Sequence, residues 1–403
     1  MIVRTSQNRR RIALLALLVC LALCCFAFVP AGAKEGEGQT GQESILAGVE
    51  ELLASLDTGK LQEYLDSLTQ EQQDAFGGSI GEKIRSLLSG DFALDYGSAL
   101  SAVWGMLFEG LTGLLPAFCT VCAVAILCGL LVRFRSSFAE NGTVRVIGFV
   151  GYAAILVLVL SSLTGIVSDC ASAVGSMQRQ MQAVFPLLLT LIATSGGSVS
   201  VAVYQPAVLC LSEVIVGVVS GVVFPLASLI CVLHMAGGMN AELRLRNFSQ
   251  LFASVIKWVL GISLTAFTVF LTVQGITSAT YDGLSFKAAK YALSNSVPIV
   301  GGFLGSGFDL VVAGSVLIKN SLGSCGIFLL VIVLASPLIQ LAVYTLFLKL
   351  SAAVIEPVGD AGTADLLTSL AGALNYFTAG LLAVGFMYFI TMLLLICSSN
   401  ALF

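Results

Sequence analysis

PLLLTLIATSGGSVSVAVYQP, residues 186–206, and PIVGGFLGSGFDLVVAGSVLIKN, residues 298–320, are the two stretches on which the fold turns. Both are apolar enough for hydrocarbon. The first is interrupted by Ser195-Gly196-Gly197-Ser198, and the second carries five glycines, including Gly301 and Gly302, together with Asp309. Glycine weakens a helix by about 1 kcal/mol relative to alanine and permits close backbone approach, so bends or unwound turns are expected in both. Broken backbone survives at membrane depth only where protein or a water-filled cavity satisfies it, which turns both segments toward the bundle interior.

Outward from these stretches the chain is a series of apolar runs. Crossings of about 20 residues fit near 112–132, 146–167, 207–235, 255–279, 325–348 and 379–397, with residues 99–111 as an interfacial helix that includes Trp104 and Glu109. The expected fold is an all-α polytopic membrane protein of about six transmembrane helices plus the two Gly-interrupted segments, which either cross or re-enter. Composition agrees: 57% of the 403 residues are hydrophobic and only 10% charged, against about a quarter charged in soluble domains. Mean hydropathy is +0.98, so most of this chain is not solvated by water.

The charge is unevenly placed. Residues 34–97 hold 13 of the 23 acids beside Lys34, Lys60, Lys83 and Arg85, whereas residues 98–403 are nearly neutral. In front of them, Arg4, Arg9, Arg10 and Arg11 precede an apolar run and the small residues Ala31-Gly32-Ala33. That order describes a signal peptide, residues 1–33, cut after Ala33, with an uncleaved anchor as the other reading. Residues 34–97 then form an acidic extracytoplasmic region. Apolar residues at helical spacing, among them Leu61, Tyr64, Leu65 and Leu68, predict short amphipathic helices broken at Thr58-Gly59 and Gly77-Gly78. About 60 residues make a marginal core, so this region is expected to dock on the membrane domain, residues 98–403, or on a partner. None of the 11 cysteines lies in it, which rules out a disulfide framework there.

A shift of 112 residues places Arg145 on Lys257, Pro186 on Pro298 and Pro225 on Pro337, suggesting an internal repeat over 138–236 and 250–348. The loops with Arg133, Arg135 and Arg145 and with Arg244, Arg246 and Lys257 are the richest in arginine, which places both in the cytoplasm. That arrangement holds if residues 186–206 re-enter from outside; a full crossing would make the repeats inverted.

Nothing in the sequence has the form of an enzyme site. His234 is the sole histidine and has no acid or nucleophile at a telling spacing. The glycines at 301, 302, 305 and 307 follow no strand and precede no Lys-Ser/Thr, so they do not make a nucleotide loop. Cys119 and Cys122 stand in mid-span without further ligand types, which favours packing over a metal. No cofactor and no nucleic-acid contact is expected. Ionisable residues inside apolar segments are more informative, because charge at the bilayer centre costs about 2.5 kcal/mol or more. Asp309 and Glu213 are such residues. With Pro186, Gly196, Gly197, Pro298, Gly301 and Gly302 they are the candidate pathway or structural positions.

The blocks VPIVGGF (297–303), GSVLIKN (314–320) and PLLLTLIATSGG (186–197) resemble the stage III sporulation protein AE family of endospore-forming bacteria. The order of signal peptide, short polar region and polytopic domain is similar throughout. The resemblance implies a mother-cell protein in the membrane around the engulfed forespore. Its implied place is a transenvelope channel or secretion assembly with other membrane proteins and a separate ATPase, required for forespore development. It implies no catalytic residues. The competing readings are a stand-alone secondary transporter with a site at the repeat interface, and a scaffold whose small residues only pack helices.

Overall fold

A computed structural model describes residues 59–88, 96–136, 141–195, 197–239, 245–296, 301–357 and 361–398. The signal segment 1–33 and its cleavage site, Gly196 and Pro298 lie outside the described residues. The described residues are almost entirely helical and contain no strand.

Three short helices open the described chain: α1 (Gly59–Asp66), α2 (Gln70–Phe76) and α3 (Ile80–Leu88). The Thr69 amide donates to Gln72 Oε1 at 3.3 Å at the start of α2, and Gly77, at φ 68°, closes it with an amide bond to Gln73 O. The apolar spacing seen in the sequence becomes a buried face of Leu61, Tyr64, Leu65, Phe76, Ile80 and Ile84. This face is laid on the long helices, with the Phe76 ring 6.0 Å from that of Phe328. Docking on the membrane domain is therefore how so short a region acquires a core.

Among the described residues, six stretches of the remaining helices are long and apolar enough to cross a membrane. They belong to α4 (Tyr96–Ser136), α5 (Asn141–Thr194), the pair α6 (Ser198–Val218) and α7 (Phe224–Met239), α8 (Arg246–Ser296), α9 (Gly301–Ile355) and α10 (Ala361–Ser398). Residues 99–111, expected as an interfacial helix leading into the first crossing, form opening turns of α4 and run on into that crossing without a break. Between α6 and α7 lies a π-helical turn, Val219–Val223. Pro225 explains it: the ring cannot donate to a carbonyl one turn back and crowds it, and a widened turn absorbs the mismatch.

The two Gly-interrupted segments behave differently. In the first, Pro186 is accommodated within α5, and the helix ends at Thr194 with the Gly197 amide bonded to Ile192 O at 2.9 Å before α6 begins. The predicted interruption is therefore present at the Ser-Gly-Gly-Ser run. The described part of the second, from Gly301 onward, is unbroken helix and continues to Ile355. Its glycines do not bend the backbone, because a bonded turn tolerates them. Shifted by 112 residues, the break at 195–197 falls on 307–309, inside that continuous helix.

Cross-links fix the antiparallel order. Tyr152 Oη donates to Met235 O at 2.9 Å, so α7 returns along α5. Tyr344 Oη donates to Val159 O at 3.0 Å, and Gln180 Nε2 to Gly326 O at 2.6 Å, so α9 also runs down α5. α10 climbs back beside α9 through close contacts. A Cβ at Gly385 would sit 2.6 Å from a Leu334 methyl, and one at Gly323 would collide with Ile396. The C-terminal ends of α4, α7 and α9 thus lie at one end of the bundle, here called the base. α1–α3 and the end of α10 lie well away from it.

Candidate functional site

The longest helices are far longer than a bilayer requires. α5, at 54 residues, measures about 80 Å against a hydrocarbon layer of about 30 Å. Side-chain exposure divides it in two. On the base side its outward residues are Val146, Phe149, Val150, Val157 and Leu160. From Ser161 to Thr194 every exposed residue is small or polar, including Asp169, Ser172, Arg179 and Gln182. α9 also exposes Leu346, Leu350 and Val354 near the base; no residue from Ile318 to Leu341 is fully exposed, and Leu317 is exposed beyond them.

The far half is where the sequence's polar residues gather. Glu213, exposed on α6, accepts from Gln178 Nε2 at 2.8 Å and from Gln182 Nε2 at 3.0 Å. These glutamines are four apart on α5, so they share a face and clamp one carboxylate. Between them Gln180 points inward, 1% exposed, and its Oε1 has no partner. Lys319 on α9 is fully buried. Thr194 Oγ1 donates to Ser315 Oγ at 3.0 Å where α5 ends.

Those contacts separate the two carboxylates that the sequence suggested together. Asp309 precedes Ser315 by six residues in α9, which places it about 9 Å beyond the end of α5. Glu213 lies level with Gln178–Gln182, about 20 Å below that end. The two positions are therefore roughly 30 Å apart along the bundle and do not form one site. Gly301 and Gly302 are the first residues of α9, and Pro186 is exposed on α5. The Gln178, Gln180 and Gln182 cluster was not among the positions expected from the sequence. Its signal was QRQMQ (178–182), the most polar run between two apolar ones.

The docked short helices add charge chemistry at this level. Burial pushes the Tyr64 phenol above its usual range, partly opposed by Arg179. Glu71 of α2 lies within hydrogen-bonding reach of Glu109 on α4. The shared bond, with burial and like-charge repulsion, raises its carboxyl above the ordinary range.

Residues 79–399 match the family model for stage III sporulation protein AE. The chain belongs to that family. It is 26% identical over 355 residues to the stage III sporulation protein AE of Bacillus subtilis (strain 168), covering 87% of this chain and 88% of that protein. No solved structure matches the chain. The described residues of this family member are all-α, with six helices able to span a membrane, and a role in sporulation follows from membership.

Proposed function

We propose that this protein is a membrane component of a transenvelope sporulation assembly between mother cell and forespore, serving as part of a conduit or as its export gate. The observation that carries this reading is the division of the bundle's surface. The apolar half can be covered by acyl chains, while the polar half, with α1–α3 docked on it, suits an aqueous compartment. The helix ends at the base carry Arg133, Arg135, Arg145 and Arg246, so the polar half stands outside the mother-cell cytoplasm, where other membrane proteins of the same assembly are met. In this reading residues 186–206 do not enter the bilayer. They form the far tip of an extracytoplasmic hairpin. The protein is non-catalytic, binds no nucleic acid and leaves any ATP-driven step to a separate ATPase.

Impermeant thiol labelling of the full chain, in a cysteine-free background, tests the reading. Cysteines at Ser172 and Arg179 should react from the extracytoplasmic side, and cysteines at Val150 and Val157 should not. Protection of 172 and 179, or sporulation unaffected by deletion of the gene, would overturn it. Uptake of a solute by the isolated chain in liposomes would support the stand-alone transporter instead.

A further inference from the structure

In the base half the exposed side chains of α5 and α9 are apolar, and those of α8 are of two kinds. Its packed face is Ala253, Ile256, Leu260, Phe267 and Leu271. Leu251, Val255, Trp258, Ile262, Val269 and Val273 form an exposed apolar row at helical spacing. Between that row and the packed face runs a second exposed row of Ser254, Lys257, Gly261, Thr265, Thr268 and Thr272. At about 100° per residue the members of this row fall within one narrow sector, turned roughly 100° from the apolar row. A groove of about 630 Å³ lies along the boundary between the two rows, lined by Lys257, Trp258, Gly261, Ile262, Thr265 and Ala266.

We propose that the Ser254–Thr272 face of α8 borders a water-filled path through the bilayer, and that lipid covers only the neighbouring apolar row. The threonines alone would not demand this. Thr265 Oγ1 bonds back to Gly261 O at 2.8 Å, Thr268 Oγ1 to Leu264 O at 2.9 Å and Thr272 Oγ1 to Thr268 O at 2.8 Å, which lets hydrocarbon tolerate them. Lys257 narrows the choice to water or protein. It stands 11 residues above Arg246, about 16 Å into a layer of about 30 Å. Lys257 is exposed, and no ion pair or hydrogen bond reaches it among the described residues. A charge at that depth faces protein or water rather than acyl chains. From Ser254 to Thr272 the row is about 27 Å long, close to the thickness of the layer itself.

α10 supports the same placement. At the membrane level its outward residues are Asp365, Thr368 and Asn375, with no large apolar side chain among them. Asn375 Nδ2 donates to Gly372 O at 3.0 Å within its own helix, which leaves its Oδ1 available to solvent. The fold therefore carries polar surface on two helices at a depth where α5 and α9 expose Leu, Val and Phe.

The role assigned to this path rests on the proposed function; its wetness does not. The experiment is a cysteine scan of the full-length, cysteine-free chain in right-side-out membrane vesicles, probed with a membrane-impermeant cationic methanethiosulfonate. Cysteines at 254, 261, 265, 268 and 272 should react at least about ten times faster than cysteines at 251, 255, 262, 269 and 273, a helical periodicity that reads solvent directly. Equal protection of both rows overturns the proposal. So does efficient disulfide cross-linking between copies at 261 and 265 with little labelling, since that describes a dry interface. Lys257→Glu, assayed in parallel for spore formation, reads the assembly role separately: normal sporulation with the periodic pattern intact would sink the role and leave the wet face standing.

Discussion

Gln180 of α5 donates through Nε2 to the backbone carbonyl of Gly326 in α9 at 2.6 Å, joining the two longest helices of the bundle by a bond shielded from solvent. Its other amide atom, Oε1, is buried without a partner, and that asymmetry makes the residue informative. Gln180→Leu loses a hydrogen bond worth about 1 kcal/mol but also removes the unsatisfied oxygen, so it should melt within a few degrees of the parent in detergent. Gln180→Glu buries a charge among apolar neighbours and should lower the melting temperature much further. Equal melting of the two variants would contradict the buried geometry.

The α9–α10 seam depends on the absence of side chains. A Cβ at Gly385 would come within 2.6 Å of Leu334, and one at Gly326 would crowd Met392 and Val184 at 3.0 and 3.3 Å. Gly385→Val should cost about 1–3 kcal/mol by overpacking and reduce the amount of protein in the membrane. At Gly372, where a Cβ would meet nothing within 4 Å, the substitution Gly372→Ala should be neutral. Quantitative immunoblotting of membrane fractions checks both.

Docking of α2 should respond to acid. Glu71 has its carboxyl raised by the bond to Glu109, so protonation is favoured in the docked state. The stabilisation is present in full below the ordinary carboxyl value of 4.5 and is lost as pH rises through the raised value. Hydrogen exchange in α2 should slow as pH falls toward 5, after correction for intrinsic rates. Glu71→Gln, which can donate a hydrogen bond to Glu109 at any pH, should flatten that dependence. An unchanged slope in the variant would dissociate Glu71 from the effect.

Asp309 and Glu213 occupy different levels of the bundle, and their variants should separate accordingly. Asp309→Asn and Asp309→Leu should both accumulate in the membrane, yet both should fail to support spore formation if a charge is needed near the start of α9. Glu213→Gln keeps an acceptor for the two clamping glutamines and should show a milder defect. Full sporulation by an abundant Asp309→Leu protein would remove any pathway role for that carboxylate.

The helices and the break at Ser195–Gly197 were legible because apolar length and a Ser-Gly-Gly-Ser run act locally. What was not legible depended on partners far along the chain. The sequence suggested that residues 298–320 would bend, but the described glycines stay helical. Gly323, just beyond, shows what small residues do in this helix: it admits Ile396 from another helix. The polar residues at 178–182 looked like a gap between two apolar segments. In the structure the helix runs straight through them, because Glu213 and Gly326, 31 or more residues away, supply the bonds their side chains need. The outward polar row of α8 was hidden for a different reason. Threonine, serine and glycine barely lower a hydropathy average, so only their angular position sets them apart.

The close seating of Ile396 on Gly323 fixes more than packing. It brings the last turns of α10 beside Cys325 and Phe328, against which α2 and α3 are docked. A reporter fused after Ser398 therefore samples the same compartment as the acidic short helices. A fluorescent protein that matures only in the cytoplasm should stay dark there, whereas a phosphatase that needs an oxidising exterior should be active. Inserted instead at the turn between α7 and α8, the two reporters should exchange behaviour.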